Sequence, residues 1–244
     1  MSPAGGTHPI PGRQPVFEAL RAGRRMTEVV VEAGNRELDG LSQGAEAAHI
    51  PVRRTTRDEL DTLAHGVRHQ GVVALARGFP YRALDEITPT DLVVVLDGVT
   101  DPQNLGAIAR SALQAGAGAL VLPKRRSVGV GPAAEKASAG ALSWLQVALV
   151  PNLVRALADL AEQGMWSVGL DRDAPETLWQ CALLDERVVV VIGAEGRGLS
   201  RLVRERVDAL VSVPMRGPLG SLNAGVAAAL ALFEVVRRRA AGPA

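Results

Sequence analysis

Two kinds of apolar pattern alternate along this chain. Unbroken apolar runs read as strands buried on both faces: Leu92 to Leu96, Ala119 to Leu122, Leu145 to Val150, Trp166 to Leu170 and Val188 to Ile192. A sixth run, Ala209 to Met215, reads the same way. Between them lie stretches with helical spacing. Asn104 to Ala115, Pro132 to Ala139 and Leu153 to Glu162 are the clearest, and an alanine-rich helix closes the chain. Pro132 suits a first helical turn, and Gly164 suits the position after a helix end. The pattern predicts five or six parallel strands with helices between them.

The first part of the chain is patterned more weakly. Pro15 to Leu20 and Asn35 to Ala48 read as helices; Thr27 to Glu32, Ile50 to Arg54 and Gly71 to Ala76 read as strands. Thr55-Thr56-Arg57-Asp58-Glu59 carries hydroxyls ahead of acids, a helix-start signal. These elements predict a small α/β/α unit. Gly78 to Thr90, with Pro80 and Pro89, is the expected linker. Residues 1–8 are expected to be a disordered tail.

The organising stretch is Arg187 to Arg239. The strand Val188 to Ile192 empties into Gly193-Ala194-Glu195-Gly196-Arg197-Gly198. The next apolar run empties into Arg216 to Asn223 and then the last helix. Parallel α/β sheets bind ligands at the carboxyl ends of strands, where such loops gather. This is the expected ligand site.

Composition narrows the picture. Aromatics are only 3% of the 244 residues, so the core is built from Val, Leu, Ile and Ala, which suits layered α/β architecture. A net charge of +1 excludes a uniformly basic nucleic-acid glove and leaves local clusters to do any such work. One cysteine, Cys181, excludes an internal disulfide and fits a reducing compartment. No apolar run reaches the roughly 20 residues that span a bilayer, and the start lacks an apolar leader. A cytoplasmic location is expected.

Three motifs carry candidate chemistry, each beside a plainer reading. In Asp97-Gly98-Val99-Thr100-Asp101-Pro102-Gln103-Asn104, Asn104 is either a helix cap or a site residue. Arg110, among Ile108, Ala109 and Ala112, either snorkels or faces a cleft. The Gly193–Gly198 loop either binds an anion or carbonyl group with its backbone N–H groups or is a tight turn with Glu195 in solvent. Ser221 and Asn223 are caps or site residues. Lys124-Arg125-Arg126 follows a strand end, where it would meet phosphates. The run Arg237-Arg238-Arg239 suits a helix C-terminus without further purpose.

Other motifs fail. Gly129-Val130-Gly131-Pro132-Ala133-Ala134 mimics a dinucleotide fingerprint but lacks the acid about 20 residues on. There is no P-loop. The four histidines and one cysteine make no zinc framework, so no metal is expected.

Taken in order, the N…R stretch, G-A-E-G-x-G-L after a strand, and V-P-M-x-G-x-x-x-S-L-N-A before a helix resemble the SpoU (TrmH) family. These are RNA ribose 2′-O-methyltransferases of the SPOUT superfamily. The resemblance runs from about Leu92 to Arg239 and includes Arg125 to Gly129 and Lys136 to Gly140. Gly12-Arg13-Gln14-Pro15-Val16 and His69-Gln70-Gly71-Val72-Val73-Ala74 resemble the N-terminal domain, similar to ribosomal protein L30e, of the 23S rRNA guanosine-2′-O-methyltransferases.

The resemblance implies an L30e-like RNA-binding domain over 9–77, a linker over 78–90 and a SPOUT methyltransferase domain with a trefoil knot over 91–244. It implies S-adenosylmethionine as donor, rRNA as partner, and a homodimer with active sites at the subunit contact. The donor would touch backbone groups of Gly193, Val213 and Leu222. Asn104, Arg110, Glu195, Ser221 and Asn223 match the family's residues near the reacting centre. Lys124, Arg125 and Arg126 would help hold RNA. Competing expectations are a tRNA or antibiotic-resistance rRNA 2′-O-methylase, a catalytically silent ribosome-assembly module, and, least supported, a nucleotide-dependent oxidoreductase.

Overall fold

A computed structural model describes residues 7–218 and 220–241. Most of the tail expected at 1–8 therefore lies outside the described residues, as does Leu219. The chain divides into two compact units. One holds the chain up to Pro80 together with Gly129–Trp144; the other holds Tyr81–Val128 and Leu145 onward.

The first unit is built on a four-stranded sheet. Its strands are β1 (Thr7–Pro11), β2 (Glu28–Glu32), β3 (Val52–Thr55) and β4 (Val72–Arg77), in the order β1-β4-β2-β3. Only β2 and β3 run parallel; β4 is antiparallel to both β1 and β2. Alternation along β2 explains the layering. Val29 and Val31 face a core with Val16 and Ala19 of α1 (Arg13–Arg21) and Ala45 of α2 (Asp39–Ala47). Val30 faces the other way, onto Leu60 of α3 (Arg57–Leu63). Thr56 caps α3, its hydroxyl accepting from the Glu59 N–H.

Thr7 and His8, expected in the disordered tail, belong to β1 instead. Two prolines in Thr-His-Pro-Ile-Pro argue against a central strand, but β1 lies at the sheet edge, where a missing N–H is tolerated.

The second unit carries a seven-stranded, all-parallel sheet in the order β7-β6-β5-β10-β8-β11-β9. In chain order the elements are β5 (Leu92–Asp97), α4 (Pro102–Gln114) and β6 (Ala119–Pro123). Helix α5 (Pro132–Ala137) comes next but belongs to the first unit. Then follow β7 (Gln146–Val150), α6 (Leu153–Glu162), β8 (Trp166–Leu170) and β9 (Glu176–Thr177). The last are β10 (Val188–Gly193), α7 (Arg201–Arg206), β11 (Ala209–Ser212) and α8 (Ala224–Ala241).

The two unbroken valine-rich runs, β5 and β10, are central neighbours, as burial on both faces requires. Val93, Val95, Val189 and Val191 pack with Leu153, Leu157 and Leu160 of α6. Helices α4 and α8 pack together. The seventh strand, β9, is two residues long and leaves no periodic signal.

Part of residues 78–90 packs. A 3-10 turn, Leu84–Glu86, has Glu86 accepting from the Ala83 N–H at 2.9 Å, and Leu84 and Ile87 pack against the second unit's core. Gly129–Trp144 falls within 91–244 by position yet packs in the first unit. Glu135, fully buried, is tied there to Arg24 at 2.6 Å and His8 at 2.8 Å.

Candidate active site

The carboxyl ends of β5, β8, β10 and β11 deliver the loops of the site. After β5 the chain turns through Gly98 at φ 78, a left-handed conformation suited to glycine. Asp101 then caps α4, its carboxylate accepting from the Gln103 N–H at 2.9 Å, with Pro102 in the first turn. The cap of this helix is therefore Asp101, which frees Asn104 for another purpose.

Asn104 is buried at 5% exposure and joins three segments. Its Nδ2 donates to Glu195 Oε2 at 3.2 Å, and its Oδ1 accepts from Asn223 Nδ2 at 2.7 Å. Asn223 Oδ1 accepts in turn from the N–H groups of Gly225 at 2.9 Å and Val226 at 3.3 Å, so Asn223 also caps α8. That anchor settles the orientation of both amides. The Asn223 oxygen is occupied by helix N–H groups, so its nitrogen must face Asn104, and Asn104 must present its own nitrogen to Glu195.

The Glu195 loop is tight. Ala194 and Gly198 exchange backbone hydrogen bonds of 3.0 and 2.8 Å. A Cβ on Gly193 would collide with the backbone of Gly198 and Leu199, so only glycine fits. Asp97, at the end of β5, accepts from the Ser200 N–H at 2.6 Å and pins the far side of the loop.

A cavity opens beside this network. Gly193, Glu195, Val213, Ser221 and Leu222 line it, with Ile192, Val211 and Met215 supplying apolar wall. Asp171, Arg172 and Asp173, directly after β8, line it too. Asp171 pairs with Arg204 at 2.7 Å and its other oxygen accepts from the Asp173 N–H at 2.9 Å. The sequence reading missed this β8 loop. The signal was present: an Asp-Arg-Asp run at the carboxyl end of an apolar strand.

Asn104, Glu195 and Asn223 are thus hydrogen-bonded together; Gly193, Val213, Ser221 and Leu222 share the cavity. Arg110 does not line the cavity. It is exposed on α4, one turn after the exposed Ala107, and makes no hydrogen bond or ion pair among the described residues. Ala107 belongs to an apolar groove with Trp179, Val226, Leu230 and Phe233. Lys124, Arg125 and Arg126 are exposed in the loop after β6, also without side-chain partners among the described residues. Cys181 is buried, and burial above all pushes its thiol up, so it is a protonated core residue and no nucleophile. Among the described residues no group of three or more His, Cys, Asp or Glu is placed to hold a metal. No helix there is long and apolar enough to cross a membrane.

The mixed lining suits a donor with an apolar base and charged amino-acid end. Backbone and apolar groups meet the first; Glu195, Asp171, Asp173 and the arginines offer charge to the second.

The model of the SpoU rRNA Methylase family matches residues 91–233. A second, RNA 2′-O ribose methyltransferase substrate binding, matches residues 9–82. The chain is similar to 23S rRNA (guanosine-2′-O-)-methyltransferase RlmB of Xylella fastidiosa, 44% identical over 223 residues, covering 87% of this chain and 88% of that one. It is 41% identical over 243 residues to an uncharacterized tRNA/rRNA methyltransferase of Mycobacterium ulcerans, covering 96% and 78% respectively. Among solved structures it is similar to the SpoU methyltransferase AviRb of Streptomyces viridochromogenes in complex with AdoMet. That likeness has a TM-score of 0.84 at 26% identity and covers 97% of this chain and 92% of that one.

Proposed function

The chain belongs to the SpoU rRNA methylase family, and we propose that it transfers a methyl group from S-adenosylmethionine to the ribose 2′-hydroxyl of a guanosine in 23S rRNA. The Glu195–Asn104–Asn223 network beside the cavity carries this reading, because it ties the three motif segments into one polar site. The 44% identity to a 23S rRNA guanosine methyltransferase supports the target. The AdoMet complex of a similar enzyme supports the donor.

The donor supplies an activated methyl on a sulfonium with a neutral leaving group. This chain's residues must hold it and align the acceptor. Backbone groups of Gly193, Val213 and Leu222 would hold the donor, and Ser221 would fix the loop they share. Asn104 and Asn223 keep Glu195 and the start of α8 in register. Arg110 would position the 2′-hydroxyl and a neighbouring phosphate through its planar fork. A guanidinium holds its proton too firmly to be a good base, so phosphate-assisted proton loss fits better. The unpaired Lys124, Arg125 and Arg126 support RNA contact at this end of the sheet. The reading includes an RNA grip in the first unit, which the substrate-binding match over 9–82 supports, with an L30e-like form, and a trefoil knot in the second unit. It also includes a cytoplasmic location, where ribosomal RNA is processed.

A homodimer completes the site. Val226, Leu230 and Phe233 of α8 are 49%, 36% and 48% exposed, a large apolar face for a surface helix. Arg110 lies one helical turn from Ala107 at the edge of that groove. A second copy seated there would cover the groove and bring its own Arg110 toward this chain's site. Phe233→Glu would place an unpaired carboxylate in that contact, at a cost of several kcal/mol. The expected result is a monomer by analytical ultracentrifugation with methylation lost; a dimer of wild-type strength would rule this face out.

The function is tested by mapping 2′-O-methylation in RNA from cells with and without the gene. Loss of one methylated guanosine in 23S rRNA is expected. Loss confined to tRNA would move the target, and no loss anywhere would overturn the reading.

A further inference from the structure

The loop after β10 carries an acid and a base two residues apart, Glu195 and Arg197, and they do not pair with each other. Ala194 and Gly198 close this loop with two backbone hydrogen bonds, which leaves Glu195, Gly196 and Arg197 as its tip. Gly196 at φ 78 and Gly198 at φ 69 take left-handed conformations that glycine adopts without strain. Gly193 abuts the backbone of Gly198 and Leu199, and Asp97 holds the Ser200 N–H. The tip is therefore braced on both sides, beside the cavity that Glu195 and Arg197 line.

Asn104 holds Glu195 through Oε2 at 3.2 Å. Glu195 Oε1 and the whole Arg197 guanidinium have no hydrogen-bond or ion-pair partner among the described residues. Charges elsewhere in the lining are committed. Asp171 pairs with Arg204 at 2.7 Å, and its other oxygen accepts from the Asp173 N–H at 2.9 Å. Arg172 lies 3.5 Å from the Asp173 carboxylate. The first N–H groups of α8 are not free for an anion either, since Gly225 and Val226 donate to Asn223. Among the described residues of the lining, Arg197 is thus the cation without a counter-charge, and Glu195 the acid without one.

A ligand that satisfies both carries an anion and a cation side by side. The amino-acid head of S-adenosylmethionine is such a group, an α-carboxylate next to an α-ammonium. A guanidinium fork matches a carboxylate with two parallel hydrogen bonds, and a free carboxylate oxygen accepts from an ammonium. Ile192, Val211, Val213 and Met215 form the apolar part of the wall, which suits the adenine and not the head. A phosphodiester would answer Arg197 but would set its own negative charge beside Glu195, which is repulsive.

We propose that Arg197 and Glu195 together grip the amino-acid head of the methyl donor, Arg197 by its carboxylate and Glu195 by its ammonium. The inference rests on the methyltransferase reading and deepens it. It gives Glu195 a task besides its bond to Asn104. It also makes Arg197, which the motif reading passes over, a residue that selects the donor.

The test is calorimetry on the full chain with three uncharged-sulfur ligands, so that the sulfonium plays no part. S-adenosylhomocysteine carries the whole head, its decarboxylated analogue keeps only the ammonium, and 5′-methylthioadenosine lacks the head. Arg197→Gln is expected to weaken S-adenosylhomocysteine about 10- to 100-fold, the range for losing a charge-assisted hydrogen bond. Its affinity for the other two should stay within about twofold of wild type, because the lost partner is absent from both. Arg197→Lys keeps the charge, loses the fork and recovers part of the affinity. Glu195→Gln is expected to weaken both ammonium-bearing ligands about 10-fold and to spare 5′-methylthioadenosine. Arg197 is exposed and unpaired among the described residues, so its substitution removes no contact of the fold. Equal weakening of all three ligands by Arg197→Gln would make Arg197 a mere wall of the cavity. Unchanged affinity for S-adenosylhomocysteine, with or without weaker binding to 23S rRNA, would remove it from the donor. Either result overturns the proposal and leaves the methyltransferase reading standing, as does a Glu195→Gln variant of unchanged affinity for both ammonium-bearing ligands. Wild-type protein that binds neither S-adenosylmethionine nor S-adenosylhomocysteine would overturn both.

Discussion

Arg110→Lys is expected to lower the rate of methyl transfer by about 100- to 1,000-fold with donor affinity unchanged, the range seen when one group that acts in the transition state is removed. The substitution keeps the positive charge and loses the planar fork, which is what would hold a hydroxyl and a phosphate oxygen together. Arg110 makes no hydrogen bond or ion pair among the described residues of its own chain, so the variant has no reason to unfold. It does not line the cavity of its own chain, and a second copy docked on the neighbouring apolar groove would bring it into use. Single-turnover assays with labelled donor and 23S rRNA would measure the rate, and calorimetry the donor affinity. A wild-type rate in folded, donor-binding Arg110→Lys protein would remove Arg110 from the reaction.

The second large effect concerns stability. Glu135→Ala is expected to destabilise the first unit by about 3–5 kcal/mol, because it leaves a buried guanidinium without its counter-charge. Arg24 is 5% exposed in its side chain and stacks over Phe79 at 5.0 Å; Glu135 is fully buried and also receives His8. Arg24 Nε and Nη2 and Glu135 Oε2 find no partner among the described residues, so the cluster is incompletely satisfied even when intact. Replacing both members by leucine should therefore recover most of the loss, since an apolar pair avoids the desolvation penalty. Chemical denaturation followed by far-ultraviolet circular dichroism would read both. A Glu135→Ala protein as stable as wild type would show that this ion pair does not hold Gly129–Trp144 in place.

Much of the fold was legible because its signals are local. The valine runs of β5 and β10 need burial on both faces, and neither polar residue nor proline interrupts them. Helix α6 spans Leu153–Glu162, as its spacing and following glycine predict, with Leu153, Ala156, Leu157 and Leu160 buried together. The motif loops were legible for the same reason: glycines and small polar residues stand where strands end.

Other features were decided by groups distant in sequence. Asn104 reads as a cap until Asp101 is seen in that place and Asn223, 119 residues away, is seen on its oxygen. Strand β1 forms despite two prolines because β4 offers an edge. Loop Asp171–Asp173 gains its meaning only from the cavity it borders.

From the residues alone came the alternating α/β plan, the family and the loops that border the cavity, since each depends on patterns a few residues wide. Tertiary structure alone decided that Gly129–Trp144 joins the first unit, that Asn104 bridges three segments, and that Arg110 faces outward beside an apolar groove. Buried charge pairs, amide hydrogen bonds and uncovered helix faces bring together residues tens to more than a hundred positions apart, and no local pattern encodes such a meeting.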